Sequence, residues 1–313
     1  MGMRARRHAA DRAEPALPTP HLGPPLARCF PPTQRLRLSP GIIGSRSGAA
    51  LGLDCRGILT APMTDLDPIA SRANPLLKRA RAVRAGREPG VGLLEGRRLI
   101  EDAIAAGVEL EVLLCDLDEP LGGELAQHPR LRQTVPGLLD GVGELKTSPG
   151  LLALARLPEL LPLEGFAVNE RSLLLAVVGV SDPGNTGALV RAAEAAGADG
   201  VAFGPGSASP FSSRALRGSM GSALRVPLFQ LESAGQLERL GLQVVAASTR
   251  GAEDYRTAAW PRPLCLWIPA ETGAASLAPP AGALAVTIPM AGSVESLNVA
   301  PAATLLLFEA ARR

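Results

Sequence analysis

Leu173-Leu-Leu-Ala-Val-Val-Gly-Val180-Ser-Asp182-Pro-Gly-Asn185-Thr-Gly-Ala-Leu-Val-Arg191 is the stretch on which the fold turns. Its first eight residues are a continuous apolar run of buried-strand length. Asp182 to Gly187 reads as a tight loop, and residues 188–196 read as a helix stopped by Gly197. Strand, loop and helix in that order are the repeating unit of an α/β sheet. Short apolar runs recur at Gly200–Phe203, Gln243–Ala247, Leu264–Ile268 and 284–288, separated by helical or loop segments. The expected fold is therefore a mostly parallel sheet with helices on both faces. Ligands in such sheets sit beyond the carboxyl ends of strands.

Working outward towards the N-terminus, residues 74–98 are the densest basic region. Lys78, Arg79, Arg81, Arg84, Arg87, Arg97 and Arg98 stand there against Glu88 and Glu95. Residues 75–87 have helical spacing, and cations along one side of a helix make a phosphate-binding stripe. A solvated helix face is the alternative. Residues 92–107 read as a short strand, a turn at Gly96 and an amphipathic helix ending at Gly107, and residues 110–115 as the next strand. Together these predict a small α/β domain over residues 70–156. Residues 157–171, with Pro158 and Pro162, are expected to link it to a second domain over residues 172–313. Residues 1–62 are rich in Pro, Arg, Gly and Ala and read as a disordered basic tail. A targeting peptide, or a true start at Met63, would also explain them.

Composition narrows the chemistry. A chain of 313 residues has room for about two domains. Aromatics are only 3%, so stacking of bases on aromatic platforms is not the main mode of any nucleic-acid binding. Cys29, Cys55, Cys115 and Cys265 form no CxxC pair, which argues against a zinc ribbon or a disulfide framework and fits a reducing, cytoplasmic setting. His8, His21 and His128 form no cluster with acids, so no metal is expected. No apolar run reaches the roughly 18 residues of a membrane helix. Residues 1–63 hold nine arginines against three acids, while the whole chain carries +2, so the globular remainder is net acidic. Any RNA affinity there must come from local basic patches.

Near the C-terminus, Ile288-Pro-Met-Ala-Gly-Ser-Val-Glu-Ser-Leu-Asn-Val-Ala300 reads as the end of a strand, an ordered loop and the start of a terminal helix. Ser296 or Asn298 is a normal start signal for that helix, and Pro301 is tolerated in its first turn. Taken alone, the stretch is equally well a strand-to-helix turn. No dinucleotide fingerprint and no P-loop occurs in the chain.

The joint pattern is more specific. Asn185-x-Gly-x-x-x-Arg191, Gly204-Pro-Gly206, Ser219-Met-Gly-Ser222, Glu271 after a strand, Ile288-Pro-Met and Ser296-Leu-Asn-Val299 occur in that order. This strongly resembles the SpoU (TrmH-type) RNA ribose 2′-O-methyltransferases of the SPOUT superfamily, over roughly residues 173–313. Residues 74–156 also resemble the small RNA-binding domain that precedes the catalytic domain in many members. The resemblance implies S-adenosylmethionine as cofactor, a C-terminal trefoil knot and a homodimer whose paired knots complete the active site.

It also implies site residues. Ile288, Leu297 and Met290, with the loop at Pro269-Ala270, would form the cofactor pocket. Asn185, Arg191, Glu271, Ser296 and Asn298 match catalytic positions. A guanidinium is effectively always protonated, so Arg191 is expected to bind phosphate and stabilise a developing alkoxide rather than act as a base. Arg214 and Arg217, beside Arg225, would join Lys78, Arg79, Arg81 and Arg84 in binding RNA. The expected substrate is large-subunit ribosomal RNA, with guanosine as the suggested nucleotide. Transfer RNA, or a non-catalytic RNA-binding role, is the alternative. One departure stands out: the family's Gly-x-Glu-Gly loop is Pro269-Ala-Glu-Thr-Gly273 here, and Pro269 has no N–H to offer a cofactor.

Overall fold

The computed structural model describes residues 67–249, 251–270 and 277–313. All lie in one compact unit spanning Ala49–Arg313. The basic tail expected over residues 1–62 falls outside the described residues.

The first element is helix α1, Pro75–Arg84. Asn74 caps it by accepting from the Leu76 N–H at 2.9 Å, and Pro75 supplies a first-turn residue that needs no donor. Then come β1 (Val91–Glu95), α2 (Arg97–Ala105), β2 (Leu110–Asp116), α3 (Gly123–Ala126), β3 (Leu131–Thr134) and β4 (Leu151–Arg156). The four strands form one sheet in the order β1-β4-β2-β3, antiparallel except for the β2–β3 pair. Alternation along the strands sorts their side chains between two cores. Leu93, Leu114, Leu152 and Leu154 meet Leu77, Ala80 and Val83 of α1. Leu94, Cys115, Leu151 and Ala153 face the other way, towards α2.

The second sheet has eight strands, all parallel to their neighbours, in the order β10-β12-β9-β11-β6-β7-β8-β5. The members are β5 (Leu161–Pro162), β6 (Leu173–Val177), β7 (Gly200–Phe203), β8 (Leu228–Gln230), β9 (Gln243–Ala247), β10 (Glu253–Asp254), β11 (Leu264–Ile268) and β12 (Leu284–Thr287). Helices α4 (Pro183–Ala195), α5 (Ser213–Ser219), α6 (Gly235–Arg239) and α7 (Val299–Arg312) complete the chain. Leu189, Leu216 and Leu306 of α4, α5 and α7 cover one face. Leu237 of α6, with Leu163 and Phe166, covers the other. The expected parallel sheet with helices on both faces is present.

Three differences from the sequence reading have simple causes. Helix α4 begins at Pro183, so most of the loop expected over residues 182–187 is helical: Asp182 caps it and Pro183 fits the first turn. The segment 157–171, expected as a linker, carries β5 and a 3-10 turn at Leu163–Gly165. Leu163 and Phe166 bury against the sheet, and Phe166 meets Phe229 edge-on at 5.5 Å, so its proline-rich composition hides an edge strand. The small domain is also not separate. The core beneath α2 continues without a break into Leu173, Leu175, Leu189 and Leu216, and α5 packs against β1.

Candidate active site

Three strands of the large sheet, β9, β11 and β12, end beside one another, and a cleft of about 1240 Å³ opens beyond their carboxyl ends. Ser248 and Thr249 line it after β9, Pro269 and Ala270 after β11, and Ile288, Pro289 and Met290 after β12. Residues 292–299 form its rim, including Ser296, Leu297 and Asn298. Its lining mixes apolar side chains such as Ile288, Met290 and Leu297 with hydroxyls and amides such as Ser248, Thr249, Ser296 and Asn298, so a ligand there would meet apolar walls and several polar groups. Among the described residues, its one charged lining side chain is the acid Glu295.

The loops are held from several sides. Gly179, at φ +75°, lies so close to Ala270 that an added Cβ would stand 2.9 Å from the alanine methyl carbon. Ser207 pins the same turn, accepting from the Gly179 N–H at 3.0 Å and donating to the Val177 carbonyl at 2.9 Å. Gly204-Pro-Gly206 therefore helps to shape the β6–α4 connection. Asn298 caps α7 through the Ala300 N–H at 2.9 Å. Its amide nitrogen donates to Asn185 Oδ1 at 3.3 Å, joining α7 to the first turn of α4. Asp182 caps that turn, accepting from the Asn185 N–H at 2.8 Å.

Of the residues singled out in the sequence, the cleft gathers Pro269, Ala270, Ile288, Met290, Ser296, Leu297 and Asn298, and Asn185 joins through Asn298. Glu271 lies outside the described residues. Arg191 does not line the cleft. It is exposed, six residues beyond Asn185 and so about 9 Å further along the helix axis. It makes no hydrogen bond or ion pair among the described residues, and Glu194, its obvious local partner, is held by Arg225 instead at 2.7 Å. Helical periodicity puts Arg191 and Glu194 in one row with Gly187. That row borders α5, because a Cβ on Gly187 would fall 2.3 Å from the Ala215 carbonyl oxygen and 2.9 Å from the Ser219 nitrogen. The glycine of the Asn-x-Gly-x-x-x-Arg motif is thus a helix-contact residue.

The expected RNA-binding cations divide sharply. Arg79 forms ion pairs with Glu88 and Glu111, which raise its pKa and lower that of Glu88. Arg84 donates to the carbonyls of Gly141 and Gly143, and Arg81 to that of Arg72. Arg214 pairs with Asp182 at 3.2 Å. Lys78 and Arg217 are exposed and make no such bond among the described residues. Arg225 is not part of a free patch, since it bridges Asp102 of α2 at 2.9 Å and Glu194 of α4. Ser219 and Ser222 are buried: the Ser219 hydroxyl donates to the Leu216 carbonyl and accepts from the Ala223 N–H, and the Ser222 hydroxyl faces Arg225 and Glu194. Sequence reasoning missed Ser248 and Thr249, although locating the strand Gln243–Ala247 was signal enough to find them.

No helix among the described residues is long and apolar enough to cross a membrane, and no group of His, Cys, Asp or Glu there could hold a metal. Cys115 and Cys265 are buried free thiols, and burial pushes the Cys115 thiol up to about 11.

Known proteins match this arrangement. A family model described as the SpoU rRNA Methylase family matches residues 172–308. A 23S rRNA (uridine(2479)-2′-O)-methyltransferase of Streptomyces viridochromogenes is 31% identical, over 72% of this chain and 83% of that one. The 23S rRNA (guanosine(2553)-2′-O)-methyltransferase RlmP of Bacillus subtilis is 28% identical, over 69% and 86%. The crystal structure of an AdoMet-bound rRNA methyltransferase from Sinorhizobium meliloti superposes with a TM-score of 0.68 at 27% identity, covering 79% of this chain and 97% of that one. Motif order, strand-end cleft and similarity along most of the chain agree: the protein belongs to the SpoU family of RNA methylases.

Proposed function

We propose that this protein transfers a methyl group from S-adenosylmethionine to a ribose 2′-hydroxyl of large-subunit ribosomal RNA, with guanosine the expected nucleotide, in the cytoplasm. The observation that carries the proposal is the cleft beyond β9, β11 and β12, with Asn185 joined to it through Asn298. The residues present fit the cofactor. Ile288 and Leu297 offer apolar walls for an adenine, the strand-end loops offer backbone groups for its edge, and the acidic Glu295 suits a ligand of net positive charge. Pro269 lines the cleft, so the missing N–H at that position must be made up by its neighbours. When bound, S-adenosylmethionine supplies an electrophilic methyl group.

The protein's own task is then alignment and proton removal. In-line placement is worth roughly 7–11 kcal/mol in favourable cases. Ser296, Asn298 and Asn185 position the ribose. Arg191 binds the adjacent phosphate and stabilises the developing alkoxide, while that phosphate or a water takes the proton. Because Arg191 stands away from the cleft of its own chain, a second copy completes the site. The exposed Leu305 and Phe308 of α7 offer an apolar face for that pairing. The chain leaves β9, inserts β11 between β9 and β6, passes to β12 and returns as α7 against α4 and β11, a path that supports a trefoil knot.

Calorimetric titration with S-adenosylmethionine, followed by methyl transfer to 23S ribosomal RNA and to transfer RNA, tests the reading. Binding with transfer to the ribosomal RNA is expected. No cofactor binding would refute the enzyme, and transfer to transfer RNA alone would refute the substrate. Arg191→Lys keeps the charge and loses the bidentate fork, so it is expected to bind cofactor normally and to turn over at least tenfold more slowly. Full turnover by that variant would remove the role given to Arg191.

A further inference from the structure

Met220 is the one non-glycine residue with positive φ among the described residues, and it sits in the left-handed helical region at φ 52°, ψ 42°. Glycine or asparagine adopts that conformation more cheaply than a long side chain does. The surroundings leave Met220 no choice. Its N–H donates to the Arg217 carbonyl at 3.2 Å, and its own carbonyl accepts from Arg225 at 3.3 Å. The next residue, Gly221, is wedged against the ion triad. A Cβ there would stand 2.3 Å from Asp102 Oδ2 and 2.6 Å from the Arg225 guanidinium. The backbone is thereby fixed, and the thioether side chain is thrust outward, 54% exposed.

Met220 is the C-cap of α5, where a left-handed residue is common but is usually glycine or asparagine, so what packing leaves unexplained is an exposed apolar side chain in that place, and strain of this kind gathers at functional sites. Its setting points to a ligand. Arg217, three residues earlier, is an exposed cation without a partner among the described residues. Gly187, which touches the Ser219 nitrogen, begins the α4 row that continues to Arg191. Among the described residues the only fully exposed aromatic side chain is Phe308, on α7, and the ring nearest α5 in sequence, Phe211, is half-buried against the core, so an unpaired base at the far end of α5 is offered little aromatic surface. Methionine is the substitute: its polarizable sulfur makes favourable contacts with aromatic rings, and methionines serve elsewhere as wedges at base steps.

We infer that Met220 is a substrate-positioning residue, presented at the seam between the two domains to contact an unpaired nucleobase of the RNA while Arg217 and Arg191 hold flanking phosphates. The inference rests on the RNA reading above and adds a residue to it. Its test compares native protein with Met220→Gly and Met220→Leu by three measurements: thermal unfolding, calorimetry with S-adenosylmethionine, and binding of 23S ribosomal RNA across a salt series. Met220→Gly is expected to relieve the backbone and raise Tm by about 2 °C. It should leave cofactor affinity unchanged and weaken RNA binding about tenfold with the same salt slope, because the lost contact is apolar. Met220→Leu, which keeps apolar bulk, should retain most of the binding. A Met220→Gly protein that binds RNA as well as the native one, or that melts at a lower temperature, overturns the inference alone. A native protein that binds no ribosomal RNA overturns both this inference and the function it rests on.

Discussion

Helix α1 and the α4–α5 seam are both rich in arginine in the sequence, yet the structure ties down every arginine of α1 and, among the described residues, leaves two of the seam's free. On α1, Arg79 and Arg84 are consumed by Glu88, Glu111 and the carbonyls of residues 141 and 143, so they build the small domain. At the seam, Arg214 and Arg225 are likewise occupied, but Arg191 and Arg217 remain exposed and without partners among the described residues. A run of like charges therefore says little about where a polyanion lands. The count of carboxylates and carbonyls within reach of each cation says more.

The contrast can be broken most forcefully at Gly187. Gly187→Ala would drive a methyl group into the Ala215 carbonyl at the α4–α5 contact, and a loss of about 3 kcal/mol in urea unfolding is expected. A variant within 0.5 kcal/mol of native, roughly the scatter of a neutral surface change, would show that the contact is loose.

Arg225→Ala comes next. It strips Glu194 of its arginine, leaves Asp102 with Arg98 alone, and should cost about 2 kcal/mol. It should also alter the response to acid. Arg225 holds the Glu194 carboxyl below its ordinary 4.5, so this stabilisation is complete above that pH and is lost as pH falls through the lowered value. The variant's stability should accordingly fall less steeply with acid than that of the native protein, and parallel pH profiles would contradict the triad's role.

The smallest effects separate the two kinds of cation on α1 itself. Arg79→Ala should lower stability by about 1.5 kcal/mol. Lys78→Ala should leave stability unchanged and reduce the salt slope of RNA binding by at most roughly one. If both variants behave alike, the division between structural and free cations is wrong.

How much of this was readable beforehand follows from the same distinction. The strands Gly200–Phe203, Gln243–Ala247 and Leu264–Ile268 were legible because each is built on an apolar run, buried throughout in the first and last and over Val244–Ala246 in the second. Strands β5, β8 and β10 were not, since two or three residues beside prolines and charges carry no period. Most of the cleft could be located, because it depends on strand ends and on Asn298 as a helix cap. The motif glycine was found but misjudged: Gly187 reads as part of a ligand loop until its distance to α5 is known. Ser219 and Ser222 could be read either as phosphate contacts or as capping hydroxyls, since nothing local distinguishes a buried hydroxyl from one aimed at a phosphate.

The core that runs unbroken from α2 to α7, with Arg225 clamped across it, has a mechanical consequence. Small and large domains so joined resist opening and closing as a jaw would. They are a fixed gauge, with a set span from the surface of the small domain to the cleft. An RNA that reaches both must itself do the bending, so substrates would be sorted by how cheaply they fold to that span as well as by the base at the target.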